Sequence, residues 1–93
     1  MKMVKFKSFP ENWVKEHDGR KPNTIRKKDL NDNRHRRLGV MMAADDYGTI
    51  EIENTATGEV FRRDITDVTE WDGWLIISWK HYKGNLQEAN YDS

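Results

Sequence analysis

The side chains best suited to binding an anion lie between residues 19 and 26, in the stretch GRKPNTIR. A glycine here can end a helix, and a lysine then leads into a short strand. Thr24 and Arg26 are two residues apart, so on a strand they point to the same face, and Lys21 is close enough to reach over it. An ammonium, a hydroxyl and a guanidinium together suit a phosphate or the polar edge of a base.

Further basic residues surround this stretch, namely Arg20, Lys27, Lys28, Arg34, Arg36 and Arg37. Residues 27–37 are polar and contain Asn and Asp, which favour turns, so the sequence predicts an exposed loop. A basic loop beside a cleft would follow a phosphate backbone and bind it less tightly as salt rises. A solvated loop without a ligand is the alternative. Trp71, in a predicted turn, adds a flat surface for base stacking, worth about 1–3 kcal/mol per base.

The net charge is zero, with 16 basic and 16 acidic residues, but the two signs are separated along the chain. Residues 15–37 carry nine Lys or Arg against four Asp or Glu, whereas residues 45–72 carry two against nine. The balance argues against a polybasic tail or a uniformly cationic nucleic-acid binder. Either the two segments attract each other across the fold, or the basic segment forms a local anion site.

Several classes of site are excluded or disfavoured by residue type. The chain has no cysteine, which excludes disulfides, thiolate metal sites and a cysteine nucleophile. The three histidines lack metal-ligand spacing, and Asp45-Asp46 does not begin a calcium loop. We therefore expect no metal and no cofactor. The sequence shows neither an apolar run of membrane-spanning length nor a signal-peptide core, so we expect a cytoplasmic protein without a membrane partner.

The chain length of 93 residues corresponds to one small domain. Hydrophobic residues make up 35% of the chain, so the four Trp, three Tyr and three Phe must supply much of the core. We predict a single domain over residues 1–80. The tail over residues 81–93 has little apolar material, and we expect it to be disordered or held only by a partner.

The hydrophobic pattern predicts one short helix and five or six strands. Residues 3–9 alternate Lys with apolar side chains, which is typical of a strand, and Pro10 suits the first turn of a helix ending before Gly19. Further strands are predicted at residues 23–26, 38–44, 49–53, 59–63 and 74–79, the last of them central. A glycine-containing hairpin turn precedes residue 59, and a turn-rich connector covers residues 65–73. The predicted fold class is α+β, with the sheet curled into a small, partly open β-barrel.

The stretch GRKPNTIR resembles the ASCH domains of the PUA-like superfamily, whose hallmark is a Gly-x-Lys element leading into a strand that bears an Arg. Its position after a short helix and the hydrophobic last strand fit the same pattern. Where the family usually has a Gly-Asp pair, this chain has Arg37-Leu38-Gly39-Val40. The pattern also resembles small proteins of bacteriophages or prophages. The resemblance implies a PUA-like barrel that binds RNA or a nucleotide beside Lys21, Thr24 and Arg26, and a phage-encoded protein of this kind would act inside the bacterial host cell.

One enzymatic branch of that superfamily, the acetylcytidine amidohydrolases, is similar over the same stretch. The similarity implies catalytic roles for Lys21 and Thr24, with Thr24 attacking an amide carbonyl after the lysine takes its proton. The third catalytic residue of that branch is a later glutamate. Glu70 is the nearest candidate in this chain, with Asp72 behind it.

Three functions therefore stand as hypotheses. The first is a binding module for RNA, single-stranded nucleic acid or a nucleotide. The second is amide hydrolysis of an acylated nucleoside such as acetylcytidine. The third is an interaction protein, for example a phage-encoded inhibitor of a host protein, in which the acidic segment 45–72 imitates a nucleic acid or covers a basic surface of the partner. The sequence does not indicate an oligomeric state.

Overall fold

The computed structural model describes residues 2–81. They form two helices and five strands, which in chain order are β1 (Met3–Ser8), α1 (Pro10–His17), β2 (Asn23–Lys27), α2 (Asn33–Ala44), β3 (Thr49–Asn54), β4 (Val60–Trp71) and β5 (Trp74–Trp79). The α+β prediction is confirmed. The predicted tail lies outside the described residues from residue 82 onward.

The five strands form one curled sheet, a half-barrel, in the order β1-β3-β4-β5-β2. Strand β1 pairs with β3 in parallel, and every other pair is antiparallel. The two edges of the sheet are therefore β1 and β2. Strand β4 lies in the middle, so the prediction that β5 is the central strand is wrong, although β5 is an interior strand between β4 and β2.

The prediction for the middle of the chain is wrong, because α2 replaces part of the predicted loop at 27–37 and the whole predicted strand at 38–44. Asp32 caps this helix, since its carboxylate accepts a hydrogen bond of 2.9 Å from the Arg34 amide. His35, Leu38 and Met41 are buried at a spacing of three residues. The helical periodicity begins inside the polar segment, so the apolar run is only the second half of a second helix.

The predicted connector at 65–73 is also wrong, because β4 continues to Trp71. Asp72 and Gly73 then form a tight turn, with φ values of 50° and 79°. The pairing of β4 with β5 shifts register between Ile65 and Asp67. Such a shift interrupts the alternation of buried and exposed residues that marks a strand in the sequence, and the second half of β4 was missed for that reason.

The hydrophobic core lies between the sheet and the two helices. Helix α1 is fixed by Trp13, whose indole N–H donates to the Ile52 carbonyl at 3.1 Å and whose ring packs edge-on against Phe61. The core members are Val4, Phe6, Trp13, Leu38, Met41, Ile50, Ile52, Phe61, Ile65, Val68, Leu75, Ile77 and Trp79. Within residues 2–81, neither helix has the length and apolar character needed to cross a membrane.

Candidate functional site

A cleft of about 220 Å³ lies where the two edge strands approach α1. Lys21, Thr24 and Arg26 line it together, so the structure brings the three predicted site residues to one place. The remaining lining residues are Lys7, Ser8, Phe9, Asn12, Glu16, Ile25 and Thr55. The cleft is smaller than the roughly 300–1,000 Å³ of sites for drug-sized ligands, which favours a single base or a small polar group.

The turn after α1 places Lys21 at this cleft. The Asp18 amide donates to the Val14 carbonyl, and the Lys21 amide donates back to the Lys15 carbonyl, both at 3.0 Å. Gly19 has a φ of 89°, and a Cβ at this position would lie 2.6 Å from the ring of His81. Glycine is therefore required both by the backbone conformation and by close packing, and the turn it permits orients the start of β2.

Arg26 crosses from β2 to β1. Its Nε donates to the Thr24 hydroxyl at 3.0 Å, and its Nη2 donates to the Lys7 carbonyl at 3.0 Å and the Ser8 hydroxyl at 3.1 Å. Burial lowers the pKa of Arg26, but an arginine stays protonated in a protein. Arg26 thus serves as a link between the edge strands as well as a cation in the cleft wall.

Glu16 is the cleft residue that sequence reasoning missed. Its side chain is 1% exposed, and its Oε1 has no hydrogen-bond partner within residues 2–81. Burial raises the pKa of Glu16, whereas hydrogen bonds from Ser8 and Thr24 and the charges of Lys21 and Arg26 oppose that shift. The available signal was its spacing, because Glu16 follows the buried Trp13 by three residues and so shares the inner face of α1.

Two other predicted ligand residues cover the edge of β1. The carbonyls of Lys2 and Ser8 accept hydrogen bonds from the β3 side of the sheet, so the odd-numbered carbonyls face the open edge. We call the three arginines that reach those carbonyls the arginine row. In this row, Arg37 donates to the Met3 carbonyl at 3.3 Å and Arg34 donates to the Lys5 carbonyl at 3.2 Å. Arg26 donates to the Lys7 carbonyl at 3.0 Å.

Ion pairs occupy several of the remaining basic side chains. Arg20 turns back to Asp18 at 2.9 Å, away from the cleft. Arg34 also pairs with Asp32, and its hydrogen bonds hold the pKa of that carboxyl well below the ordinary value. Arg36 lies on the exposed side of α2. None of these residues lines the cleft.

Lys27 and Trp71 lie on the outer face of the sheet. Lys27 is paired in register with Trp74, which is paired with Trp71, and on β2 this face is opposite to the one bearing Thr24 and Arg26. Trp71 is 68% exposed, as expected for a turn-proximal residue. Its ring borders a shallow apolar groove on the outer face, which meets the lysine-lined cleft at Ile25.

Glu70, the candidate for a third catalytic group, pairs with Lys28 at 2.6 Å instead of entering the cleft. Other acidic side chains of segment 45–72 are also paired within the chain, Asp46 with Lys2 and Glu51 with Arg62. Of these three pairs, the one between Lys28 and Glu70 joins the basic segment 15–37 to the acidic segment 45–72, whereas Glu51 and Arg62 both lie in the acidic segment and Lys2 lies outside both. The carboxyl that the structure places beside Lys21 and Thr24 is Glu16.

Residues 2–81 contain no group of three or more His, Asp or Glu side chains arranged to hold a metal ion. No family model matches the sequence, and a search of curated proteins found no match.

Proposed function

We propose that the protein binds single-stranded nucleic acid or a nucleotide in this cleft, on a partly open barrel of the PUA-like kind. One observation carries the proposal. Two cationic side chains, those of Lys21 and Arg26, line a cleft of the size of one base together with the hydroxyls of Ser8 and Thr24. Cations supply the attraction for phosphate, and hydroxyls supply directional hydrogen bonds to a base or sugar.

The charge of the cleft favours an anion. Against these two cations stands one carboxyl, that of Glu16, so the lining is positive even when Glu16 is ionised. A guanidinium carries five N–H donors, and the hydrogen bonds of Arg26 described above use Nε and Nη2. None of these hydrogen bonds uses Nη1, which therefore has N–H groups to donate to a phosphate oxygen.

A binding measurement tests this proposal. The protein is titrated into a fluorescently labelled hexacytidylate or hexauridylate at low salt, and anisotropy is recorded for the wild type, Lys21→Ala and Lys15→Ala. Lys15 is the matched control, because it is an exposed lysine of α1 that does not line the cleft. We expect Lys21→Ala to weaken binding about tenfold and to reduce the salt dependence by about one phosphate contact, with Lys15→Ala near the wild type.

Absence of binding at low salt, or equal losses in the two variants, would refute nucleic-acid binding in the cleft. In that case a host protein would be the better candidate partner, and a stoichiometric complex retained in a pull-down would support it.

A second candidate function is hydrolysis of an acylated nucleoside, and Glu16 is the observation that favours it. The Thr24 hydroxyl accepts a hydrogen bond from Arg26 and lies beside the Glu16 carboxyl, on which Lys21 also acts through its charge. A nucleophile beside a proton acceptor and a cation is the arrangement that acyl transfer needs. Glu16 would take the place that the sequence assigned to Glu70.

Incubation with acetylcytidine decides between the two candidates. Release of acetate that disappears in Thr24→Val, which keeps the side-chain shape and removes the hydroxyl, would establish the hydrolase. Binding of cytidine nucleotides without any acetate release would leave the binding module.

A further inference from the structure

The buried carboxyl of Glu16 is the least satisfied polar group that lines the cleft. Its side chain is 99% removed from solvent by the surrounding residues, and its Oε1 accepts no hydrogen bond within residues 2–81. Buried polar atoms in folded proteins are almost always paired, because an unpaired one loses its hydrogen bonds to water without replacement. Because Glu16 lines an open cleft, its unpaired acceptor can be reached by a donor from a ligand once the side chains that cover it move aside.

The neighbours of Glu16 restrict what that donor can be. The hydroxyls of Ser8 and Thr24 and the positive charges of Lys21 and Arg26 lie beside the carboxyl and favour its ionised form. A protonated amine would meet repulsion from these cations. A neutral N–H donor that is attached to an anionic group meets no such repulsion. A nucleotide with an amino group on its base has both properties.

The open edge of β2 adds a donor and an acceptor to the same cleft. The Pro22 carbonyl accepts from Trp79, and the Lys28 amide donates to Gly73, so the even-numbered residues of β2 face β5. The backbone N–H and C=O of Ile25 therefore point away from β5, and Ile25 lines the cleft. A base edge with a ring acceptor next to an amino group complements the Ile25 N–H and the Glu16 carboxyl.

We infer that Glu16 is the specificity-determining residue of the cleft and selects nucleotides whose base carries an exocyclic amino group over those with a carbonyl in its place. A carboxylate oxygen accepts from an amino group, but it repels the carbonyl oxygen of uracil, and the buried group would stay unpaired. The inference rests on the proposed nucleotide binding, which Lys21 supports independently of base identity.

The test compares hexacytidylate with hexauridylate, which carry the same phosphates and differ on each base by an amino group against a carbonyl. We expect the wild type at pH 7.5 to bind the cytidine oligomer about tenfold more tightly. Glu16→Gln should reduce that ratio to about one, because the glutamine amide can donate to the uracil carbonyl. Glu11→Gln is the control, since Glu11 is an exposed residue on the same helix outside the cleft.

The possible outcomes distinguish base selection by Glu16 from the proposed nucleotide binding. Equal affinity of the wild type for both oligomers, with both lost in Lys21→Ala, would overturn base selection by Glu16 and leave nucleotide binding intact. A cytidine preference that survives in a folded Glu16→Gln, as judged by an unchanged circular dichroism spectrum, would assign selection to another group and also overturn it. No binding of either oligomer would remove the proposed function itself. The wild-type ratio requires no variant, so a folding defect in Glu16→Gln cannot obscure the result.

Discussion

The two edge strands of the half-barrel solve the problem of unpaired backbone groups in different ways. Along β1, the outward carbonyls of Met3, Lys5 and Lys7 are each covered by a guanidinium of the arginine row. Along β2, which is an edge as well, no side chain within residues 2–81 donates to or accepts from the outward groups of Ile25. Covering an edge prevents pairing with other chains, whereas an uncovered one is available to a ligand.

This difference changes the meaning of the basic residues. Counting Lys and Arg along the sequence suggests one large phosphate-binding surface, but Arg34 and Arg37 donate hydrogen bonds to the backbone of their own chain. Only Lys21 and Arg26 of the predicted ligand residues combine positive charge with a place in the cleft. Whether a basic side chain is available to a ligand depends on the acceptors that the fold places near it.

The largest expected change in the free energy of unfolding comes from proline substitutions in the edge strand β2 and in its interior neighbour β5. Ile25 and Ile76 are cross-strand partners, so the same substitution can be made in an edge strand and in an interior one. Ile76→Pro removes a hydrogen bond to β4 and should cost about 3 kcal/mol or more. Ile25→Pro removes no strand hydrogen bond and should cost about 1 kcal/mol or less. Urea unfolding measures both, and equal losses would show that the Ile25 amide is paired.

The covered edge is tested by removing one arginine of its row. Arg34 donates to the Lys5 carbonyl, lies 4.4 Å over the Phe6 ring and pairs with Asp32. Arg34→Ala should therefore lower the free energy of unfolding by about 1–2 kcal/mol. Arg36→Ala, on the exposed side of the same helix, should change it by less than about 0.5 kcal/mol. Similar values for the two variants would show that the arginine row does not stabilise β1.

The smallest effect concerns the carboxyl between the two edges. Burial raises the pKa of Glu16 above its ordinary value of 4.5, so the folded protein holds this proton more tightly than the unfolded chain. The stability from that proton is full below pH 4.5 and is lost as the pH rises through the raised pKa. Glu16→Gln has no such loss, so its stability should exceed that of the wild type by an increasing margin, reaching on the order of 1 kcal/mol near pH 8.

Thermal unfolding between pH 4 and pH 8 measures this margin, and 1 kcal/mol corresponds to about 4–8 °C in a domain of this size. Glu11→Gln should run parallel to the wild type. A margin for Glu16→Gln that shrinks with rising pH would show that the carboxylate is stabilised in the folded protein.

Most of the elements could be predicted because their signals are local. Pro10 and Gly19 bound α1, and alternating side chains mark β1, β3 and the start of β4. The two failures have tertiary causes. Helix α2 buries a histidine, His35, which accepts a hydrogen bond from the Asp29 amide at 2.8 Å, so its inner face did not look apolar. The register shift near Asp67 hid the second half of β4 in the same way.

Within the site, the motif predicted which side chains meet, since Lys21, Thr24 and Arg26 share one cleft. It could not predict Glu16 as their neighbour. A glutamate on a short helix is ordinarily solvated, and its burial here depends on β1 and β2 closing over α1. The contact between these strands is made by residues far apart in the sequence, such as Arg26 and Lys7, and no local sequence pattern predicts it.

The position of Arg26 links the width of the cleft to its occupancy. The hydrogen bonds from Arg26 that hold β2 to Lys7 and Ser8 lie in the wall of the cleft that a ligand would enter. A phosphate bound through Nη1 is held by the same guanidinium that links the two strands, so strand separation and ligand affinity each depend on the other. Substitutions far from the cleft can therefore change the affinity for a ligand, provided that they change the spacing between β1 and β2.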